Sequence, residues 1–453
     1  MTARYRGPRP GMVGMGYVGM ATAAAFAHYG IPTVGYDVDA ERIASLRGGR
    51  VPVYEEGLAP LVQKQVRAGR LSFEDSMEEL VRSCHVIFLS VQTPSTADGS
   101  IDLSFLSQAA MDVGMALRKV KSWRLVVVKS TVVPGTAEGL VARVLASASG
   151  RAAGKGFAVA SNPEFLAEGT MVKDALHPYR IVLGVSDPRG ERTLRALYAP
   201  FRTRLVVLPP AAAELVKYAS NALLALRVSS ANEFSRMARA AGVDVYPVLE
   251  AVGMDPRIGP LFLRAGPGFG GSCFTKDVNA LLAWARDRSL ETPILNATLE
   301  GNELQARHVA EIAEAESRGL EGKRVALLGL AFKAGTSDTR DSRAYPITEA
   351  LLRKGATVLL YDPHAMEGFR RGLSRNAARE IGSRLFFAKD LKGALGVADL
   401  AVIQADWEEF RKLRGKDWAS LKDRLVVDAR RSVDPKTLRR AGVRYAAVGD
   451  GNP

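Results

Sequence analysis

The segment from Gly14 to Gly19, Gly-Met-Gly-Tyr-Val-Gly, constrains the fold more than any other part of this chain. It fits the pattern G-x-G-x-x-G and opens an alanine-rich segment of helical character that ends near Gly30. A strand pattern then ends in Asp37, eighteen residues beyond Gly19 (37 minus 19). Such glycines let a backbone approach a pyrophosphate at a helix N-terminus, and the acid accepts a hydrogen bond from a ribose hydroxyl. The segment therefore predicts a βαβ unit that binds a dinucleotide.

The acid at the end of the second strand also indicates which dinucleotide is bound. Asp37 favours NAD over NADP because its charge would repel a 2′-phosphate, although the nearby Arg42 weakens that preference. The strand that should precede the glycines contains Pro10 and Gly11, which are poor strand residues. We expect this first strand to be short or irregular.

Composition limits the class of protein. A chain of 453 residues is too long for one ordinary domain, and 47% apolar with 24% charged residues is typical of a globular protein. The formal charge of +14 raises nucleic acid as a partner, but the lysines and arginines are spread along the sequence without a dense basic run. The uncharged span from Pro10 to Tyr36 contains six glycines, which favours a βαβ unit over a membrane segment. We predict no nucleic-acid partner and no membrane association.

The cysteines and histidines indicate a reducing compartment and no metal. Two cysteines give no disulfide framework, and we predict a cytoplasmic protein. Cys84 lies in a strand-like run and is interpreted as a buried small hydrophobe. The five histidines are scattered without metal-ligand spacing, so we predict no metal site.

The order of apolar runs predicts three domains. Strand-like and helical segments alternate up to about residue 205, which implies a doubly wound parallel sheet. Strand signals disappear between about residues 211 and 317, where Ala212–Ala240 and Thr292–Ser317 are helical in character, and the alternation returns at Lys323. We predict an α/β fold with two Rossmann-like doubly wound domains, 1–205 and 319–453, joined by a central helical domain, 206–318, that contains a long helix. The two α/β halves look alike only in this alternation.

The segment from Gly268 to Asp277, Gly-Phe-Gly-Gly-Ser-Cys-Phe-Thr-Lys-Asp, carries the chemistry. Cys273 follows a glycine-rich turn and precedes a helical pattern, so the helix dipole and a cation such as Lys276 would favour its thiolate. Asp277 is placed to act as a base for water. This pattern indicates covalent thiol catalysis followed by hydrolysis, and the alternative is a buried cysteine at a tight helix entry.

The chain resembles the nucleotide-sugar 6-dehydrogenases, the UDP-glucose/GDP-mannose dehydrogenase family, along essentially its full length. The matching segments include Gly14–Gly19, Tyr54–Leu58, Val91–Pro94, Lys129–Val132, Asn162–Gly169, Glu214–Asn221, Asn232–Glu233, Asp255–Gly259, the Cys273 segment, Gly329–Lys333, Ser337–Ser342 and Asp428–Arg430. The resemblance implies an NAD-binding first domain, a central dimerisation domain and a UDP-sugar-binding last domain. It also implies a homodimer or higher homo-oligomer, because Arg257 in this family reaches the neighbouring subunit's site.

The resemblance implies a four-electron oxidation of a sugar C6 alcohol to a carboxylate, with two NAD⁺ reduced in turn. Cys273 would form the thiohemiacetal and thioester, and Asp277 would activate water. Lys217 and Asn221, four residues apart on one helix face, would polarise the C6 oxygen, while Glu164 and Thr131 would place water and relay protons.

Binding roles follow from the same resemblance. The residues expected to contact NAD are Gly14, Gly16, Tyr17, Val18, Gly19, Asp37, Arg42, Thr93, Thr131, Glu168, Lys276 and Arg340. Those expected to contact the nucleotide sugar are Glu164, Phe165, Leu166, Glu168, Lys217, Asn221, Arg257, Phe269, Gly270, Phe332, Lys333 and Arg430.

The favoured substrate is UDP-glucose, and two alternatives stay open. Thr131–Gly135 and Ala334–Thr336 lean towards the GDP-mannose branch, whereas Asp255–Gly259 and Gly266–Gly270 look like the UDP-glucose branch. The same chemistry on GDP-mannose or another nucleotide sugar is therefore the first alternative. The second is a catalytically silent nucleotide- or nucleic-acid-binding protein, for which the +14 charge is the best argument.

Overall fold

The computed structural model describes residues 5–373 and 383–451. The chain divides into two compact units, Met1–Ser220 and Asn221–Pro453. Each unit contains an α/β sheet, mostly parallel in the first unit and parallel throughout in the second, and long helices lie between the two sheets in sequence, which confirms the predicted fold class. The division into three domains at residues 205 and 318 stays a prediction. Within the described residues, no helix combines the length and apolarity that crossing a membrane requires.

The first unit is built on an eight-stranded sheet. Its strands are β1 Pro10–Val13, β2 Thr33–Tyr36, β3 Leu71–Phe73, β4 Val86–Leu89, β5 Arg124–Val128, β6 Phe157–Ser161, β7 Ile181–Val185 and β8 Leu205–Leu208. Their order is β3-β2-β1-β4-β5-β6-β7-β8, and only the β6–β7 pair is antiparallel among these neighbours. Because the chain order reverses between β1 and β4, a crevice forms at their carboxyl ends, where such sheets bind ligands.

Helices cover both faces of this sheet. They are α1 Tyr17–His28, α2 Ala40–Arg47, α3 Leu58–Arg67, α4 Met77–Ser83, α5 Ser104–Leu117, α6 Ala142–Ser149, α7 Met171–Leu176 and α8 Pro188–Tyr198, with a π-helical turn at Ala137–Val141 and a 3₁₀ turn at Ala199–Phe201. Local sequence fixes several starts. Asp39 caps α2 by accepting the Arg42 N–H, and Asp187 caps α8 directly before a proline at its first position.

The first strand and Cys84 belong to the core around this sheet. β1 is short, as expected, but it is regular, because all four residues are buried and paired with β4. Pro10 is tolerated because it is the first residue of the strand. Cys84 ends α4 and is fully buried, which confirms that it behaves as a small core residue.

The second unit begins with helices that precede its sheet. Helix α9 Pro210–Ala240 contains the boundary between the units, and α10 Val245–Gly253, α11 Phe274–Arg286 and α12 Pro293–Ser317 follow. The buried positions of α12 recur at helical spacing (Thr298, Asn302, Gln305 and Val309), so one stripe of the helix packs inward.

The second sheet has six strands and is parallel throughout. The strands are β9 Arg324–Leu328, β10 Thr357–Tyr361, β11 Leu385–Phe387, β12 Leu400–Ile403, β13 Leu425–Asp428 and β14 Arg444–Ala447, in the order β11-β10-β9-β12-β13-β14. Its helices are α13 Ala344–Arg353, α14 Met366–Gly372, α15 Leu391–Val397, α16 Glu408–Arg411, α17 Gly415–Trp418 and α18 Pro435–Arg440. Continuous apolar runs form the central strands because both faces are covered.

The two sheets resemble each other in a turn as well as in the alternation of strands and helices. The interpretation that they are alike only in this alternation is therefore wrong. Directly after β1 and β9 comes a glycine with positive φ, Gly14 at 91° and Gly329 at 93°. The N–H of each glycine donates to a tyrosine carbonyl at the end of the neighbouring strand, at 2.9 Å for Tyr36 and 2.8 Å for Tyr361. The sequence did not predict this repeated turn, because the two units have only the glycine and the Tyr-Asp pair in common there.

Candidate active site

The dinucleotide turn lies at the carboxyl end of β1. Gly14 has a left-handed φ that favours glycine, and a Cβ on Gly19 would overlap the carbonyl oxygen of Gly14. Gly16 precedes α1, has no side chain to cap the helix, and would direct a Cβ into open space. The first N–H groups of α1 therefore border room for a phosphate, as a bound NAD requires.

Asp37 lies beside this turn at the end of β2. Its Oδ2 accepts from the Met15 N–H at 2.7 Å and from Arg42 Nη1 at 2.9 Å, and its Oδ1 accepts from the Asp39 N–H at 3.0 Å. The carboxylate is thus fixed in orientation and keeps lone pairs for a ribose hydroxyl. The glycine turn and Asp37 can therefore bind the pyrophosphate and the ribose of NAD.

Other expected cofactor contacts lie at neighbouring strand ends. The Thr93 hydroxyl donates to the Thr131 carbonyl at 3.0 Å, which ties the segments after β4 and β5 together. Thr131 is half-buried, and so is Glu168 in the segment after β6. Tyr17 and Val18 form the first turn of α1.

Glu164 and Lys217 form an ion pair within the first unit. Lys217 Nζ lies 2.9 Å from Glu164 Oε1, and both side chains are largely buried, with 5% and 11% exposed. The Leu166 N–H donates to the other carboxylate oxygen at 2.5 Å. Burial disfavours the charged carboxylate, but the ammonium and the hydrogen bonds outweigh it and hold the pKa of Glu164 below its usual value. The Phe165 ring lies beside Lys217, at 5.7 Å from Nζ.

Cys273 occupies the cap position of α11 in the second unit and is exposed. The Asp277 N–H donates to the Cys273 carbonyl at 2.8 Å, which closes the first turn, and the Ser272 hydroxyl lies 3.5 Å from the sulfur. The thiol therefore stands at the positive end of a helix, as predicted, where a thiolate is favoured.

Asp277 is buried one turn along α11, with 2% of its side chain exposed. Its Oδ2 accepts from Asn221 Nδ2 at 2.6 Å, and its Oδ1 accepts from Lys276 Nζ at 2.7 Å. The structure thus brings together Asn221, Lys276 and Asp277, three of the predicted catalytic or binding residues. Lys276 was expected to favour the thiolate of Cys273, and its ammonium pairs with Asp277.

Buried amides hold the loop before the cysteine, and sequence reasoning did not assign them this role. Asn302 donates to the Phe269 carbonyl at 2.9 Å and accepts from the Phe269 N–H at 2.8 Å. Gln305 donates to the Gly266 carbonyl, and Asn232 accepts from the Gly266 N–H, each at 2.8 Å. The sequence contained one signal for this role. Asn302 and Gln305 are polar residues at positions of α12 where the helical spacing predicts buried apolar side chains.

A second support joins α11 to the segment before α13. The Thr275 hydroxyl hydrogen-bonds Asp341, which also pairs with the buried Arg343. The Gly271 N–H donates to the Arg340 carbonyl at 3.0 Å, and a Cβ on Gly270 would overlap the Asp341 carbonyl oxygen. Thr275 therefore anchors the helix of Cys273.

Among the expected substrate contacts of the second unit, Arg430, Phe332 and Gly270 adjoin one another. Arg430 donates to the Gln404 carbonyl at 2.8 Å and to the Phe332 carbonyl at 3.2 Å, and burial lowers its pKa. Lys333 Nζ lies 5.4 Å from the Phe332 ring. Arg257 is 87% exposed and paired with Asp255. Arg340, which was expected to contact NAD, is 64% exposed and paired with Asp338.

Comparison with known proteins identifies the family. The sequence matches the NAD binding domain of the UDP-glucose/GDP-mannose dehydrogenase family over residues 9–202, the family's central domain over residues 211–304 and its UDP binding domain over residues 326–435. A UDP-glucose 6-dehydrogenase of Haloferax volcanii is 41% identical over 442 residues, which cover 96% of this chain and 99% of that protein.

Two solved structures illustrate the range of similarity. A UDP-glucose dehydrogenase from the archaeon Pyrobaculum islandicum is 41% identical and has a TM-score of 0.87, with 99% of each chain covered. A GDP-mannose dehydrogenase from Pseudomonas aeruginosa is 30% identical and has a TM-score of 0.55, with 97% of this chain and 99% of that chain covered.

The dinucleotide turn and these matches together define an NAD-dependent oxidoreductase. The chain belongs to the UDP-glucose/GDP-mannose dehydrogenase family. Its cofactor is NAD, as predicted, and its UDP binding domain indicates a nucleotide-sugar substrate.

Proposed function

We propose that this chain oxidises UDP-glucose at C6 to UDP-glucuronate through a covalent thioester on Cys273. The observation that carries the proposal is the buried Asp277, held between an amide and an ammonium one turn after an exposed cysteine at a helix N-terminus. A carboxylate in that position suits hydrolysis of a thioester on the neighbouring thiol. Curated relatives named UDP-glucose 6-dehydrogenase support the choice of sugar.

The first oxidation converts the C6 alcohol to an aldehyde by loss of a hydride and a proton. NAD⁺, when bound, accepts one hydride in each of the two oxidation steps. In this proposal the ammonium of Lys217 and the amide of Asn221, four residues apart in α9, stabilise the developing charge on the C6 oxygen. Glu164, held ionised beside Lys217, positions water and relays the released proton together with Thr131.

The second oxidation takes place on the cysteine. Cys273 Sγ bonds to the aldehyde carbon while the oxygen takes up a proton, which gives a thiohemiacetal. Loss of that proton and of a second hydride gives a thioester. Asp277 then takes a proton from water as the water oxygen adds to the thioester carbon. The C–S bond breaks, Asp277 returns that proton to the sulfur of Cys273, and the product acid loses its remaining proton to solvent as the carboxylate leaves.

The stoichiometry tests this function directly. Purified protein supplied with UDP-glucose and excess NAD⁺ is expected to form two NADH for each UDP-glucuronate, measured by absorbance and by chromatography of the sugar nucleotides. One NADH per substrate, or accumulation of a free aldehyde, would contradict the sequence of steps. A panel containing GDP-mannose and other nucleotide sugars would reveal whether the same chemistry acts on another substrate.

The covalent step has its own test. Cys273→Ser is expected to lose acid formation by at least about a thousandfold and to keep NAD binding, because the hydroxyl cannot replace the thiolate. Cys84→Ala is the matched control, since this cysteine is buried in the core of the first unit. Ordinary turnover by the serine variant would refute the thioester.

We also propose that the protein is cytoplasmic and forms a homodimer or a higher homo-oligomer. Several large apolar side chains from α9 to the segment after α10 are exposed, including Leu223 at 61%, Met254 at 73% and Leu261 at 77%. Such exposure supports an apolar partner surface. Sedimentation of the purified protein as a monomer across working concentrations would contradict the oligomer.

A further inference from the structure

Lys129 is a buried cation at the carboxyl end of β5 that the proposed reaction does not use. Only 6% of the residue is exposed. Its Nζ donates to the Asn162 carbonyl at 3.3 Å and to Asn162 Oδ1 at 3.1 Å. Burying an ammonium opposes folding, and an apolar side chain of similar size would avoid that cost. A purely structural role therefore accounts poorly for a lysine at this position.

The asparagine that Lys129 contacts is held from two further directions. The Tyr198 hydroxyl donates to Asn162 Oδ1 at 2.6 Å, and Asn162 Nδ2 donates to the Val182 carbonyl at 2.8 Å. Asn162 is itself buried and lies two residues before Glu164. The contacts of Lys129 thus fix the start of the turn that carries Glu164.

Lys129 also acts on Glu164 through its charge. Lys217 contacts the carboxylate directly, and the positive charge of Lys129 adds to it in keeping the pKa of Glu164 low. Burial in turn lowers the pKa of Lys129 to about 8, although the negative charge of Glu164 opposes that shift. Asp174, Arg180 and Tyr198 line the same cavity of about 80 Å³ as Lys129 and Glu164, so a further carboxylate and a guanidinium face it.

We propose that Lys129 is a positioning residue for the oxidation: its buried ammonium fixes Asn162 and, together with Lys217, keeps the Glu164 carboxylate negatively charged. The inference rests on the proposed function, since it concerns the groups assigned there to water and proton transfer. It adds a residue that acts through Glu164 and does not itself touch the reacting sugar.

Lys129→Met tests the inference, because it keeps the length of the side chain and removes the charge. Turnover is expected to fall by about tenfold with smaller changes in the KM values. The acid limb of the kcat/KM profile is expected to move to higher pH, since the pKa of Glu164 rises when one cation is lost. The effect of the missing charge should fade above about pH 8, where wild-type Lys129 also loses its proton.

Thermal unfolding separates this role from a structural one. The pKa of Lys129 is lower in the folded than in the unfolded chain, so its charge disfavours the folded state below about pH 8. Lys129→Met is therefore expected to melt at the same or a higher temperature at neutral pH. A lower melting temperature together with an unmoved acid limb would overturn the proposal.

Two controls complete the design. Lys155→Met removes a charge from an exposed loop of the same unit and is expected to leave the profile unchanged. Lys129→Arg keeps the positive charge and is expected to keep the wild-type acid limb. If Lys129→Met does not fold, the arginine variant decides: an acid limb that stays supports the proposal, and one that moves overturns it.

Failure of the proposed function can be distinguished from failure of this inference. Wild-type protein that forms no NADH with any nucleotide sugar would remove the function. Acid unfolding then tests the inference without turnover, because the stabilisation from ionised Glu164 is lost as pH falls through its lowered pKa. Lys129→Met is expected to lose it at a higher pH than the wild type, and identical acid profiles would overturn the inference.

Discussion

The two sheets begin with the same turn, but the acid that follows each second strand has a different environment. Asp37 accepts the Met15 N–H in the first sheet, and Asp362 accepts the Leu330 N–H in the second, both at 2.7 Å through Oδ2. Asp362 also accepts from the Ala331 N–H at 3.0 Å and from the Trp407 indole at 2.9 Å.

The difference shows how one turn serves two purposes. In the first sheet, helix α1 starts directly after the glycines, and the acid keeps capacity for a ribose hydroxyl. In the second sheet, the next helix starts only at Ala344, and Oδ1 of Asp362 additionally accepts the N–H groups of His364 and Ala365. The second acid is saturated by the protein and therefore stabilises the turn instead of binding a dinucleotide.

The largest effect is expected from removing the saturated acid. Asp362→Ala leaves several buried donors without an acceptor and is expected to cost at least about 4 kcal/mol in the free energy of unfolding. Asp37→Ala is the matched change and should cost less stability but weaken NAD binding. Denaturant unfolding and NAD titration of both variants measure the contrast, and equal losses of stability would break the comparison.

The next effect concerns the glycines. Gly19→Ala is expected to weaken NAD binding by about a hundredfold, because the added Cβ overlaps the Gly14 carbonyl and displaces the turn. Gly16→Ala copies Ala331 of the second sheet into open space, so it should keep the fold and weaken NAD binding by about tenfold. Calorimetric titration checks both values, and unchanged binding in both variants would count against the pyrophosphate assignment.

A smaller effect is expected on the choice of cofactor. Asp37→Ser removes the charge that repels a 2′-phosphate and releases Arg42, which now lies 2.9 Å away. The ratio of kcat/KM for NADP to that for NAD is expected to rise by about tenfold. The double variant with Arg42→Ala should lose most of that gain, and a gain that survives would show that Arg42 does not read the phosphate.

The smallest effect is expected from removing one of the hydrogen bonds that saturate the carboxylate of Asp362. Trp407→Phe removes one donor to Asp362 and keeps most of the buried ring, and it is expected to cost about 1 kcal/mol in stability. Thermal unfolding measures the loss, and NAD binding should not change. A change in NAD affinity would mean that the second turn influences the first.

The sequence predicted the central strands and long helices because their patterns are strong. The helix predicted at Ala212–Ala240 begins two residues earlier, at Pro210, and the helix predicted at Thr292–Ser317 begins one residue later, at Pro293. The short edge strands β3, β11 and β14 were not predicted, since each has three or four residues and β11 and β14 are only partly buried. Short runs of this kind resemble loops in a single sequence.

The sequence predicted those features of the site that depend on residues close together in the chain. The position of Cys273 at the start of a helix followed from its flanking glycines and the periodicity after it. The amide contacts of Asn302 and the link from Thr275 to Asp341 could not be inferred, because they join residues 33 and 66 positions apart. Such pairs depend on tertiary packing, which spacing along the chain does not reveal.

The contrast between the two cysteines gives the protein a natural labelling position. Burial raises the pKa of Cys84 to about 11, whereas Cys273 is exposed at its helix cap. At neutral pH a maleimide should therefore attach once per chain, at the sulfur proposed to hold the sugar. Counting attached probes by mass spectrometry would then report the fraction of molecules with a reactive thiol, and added ligand should slow the attachment.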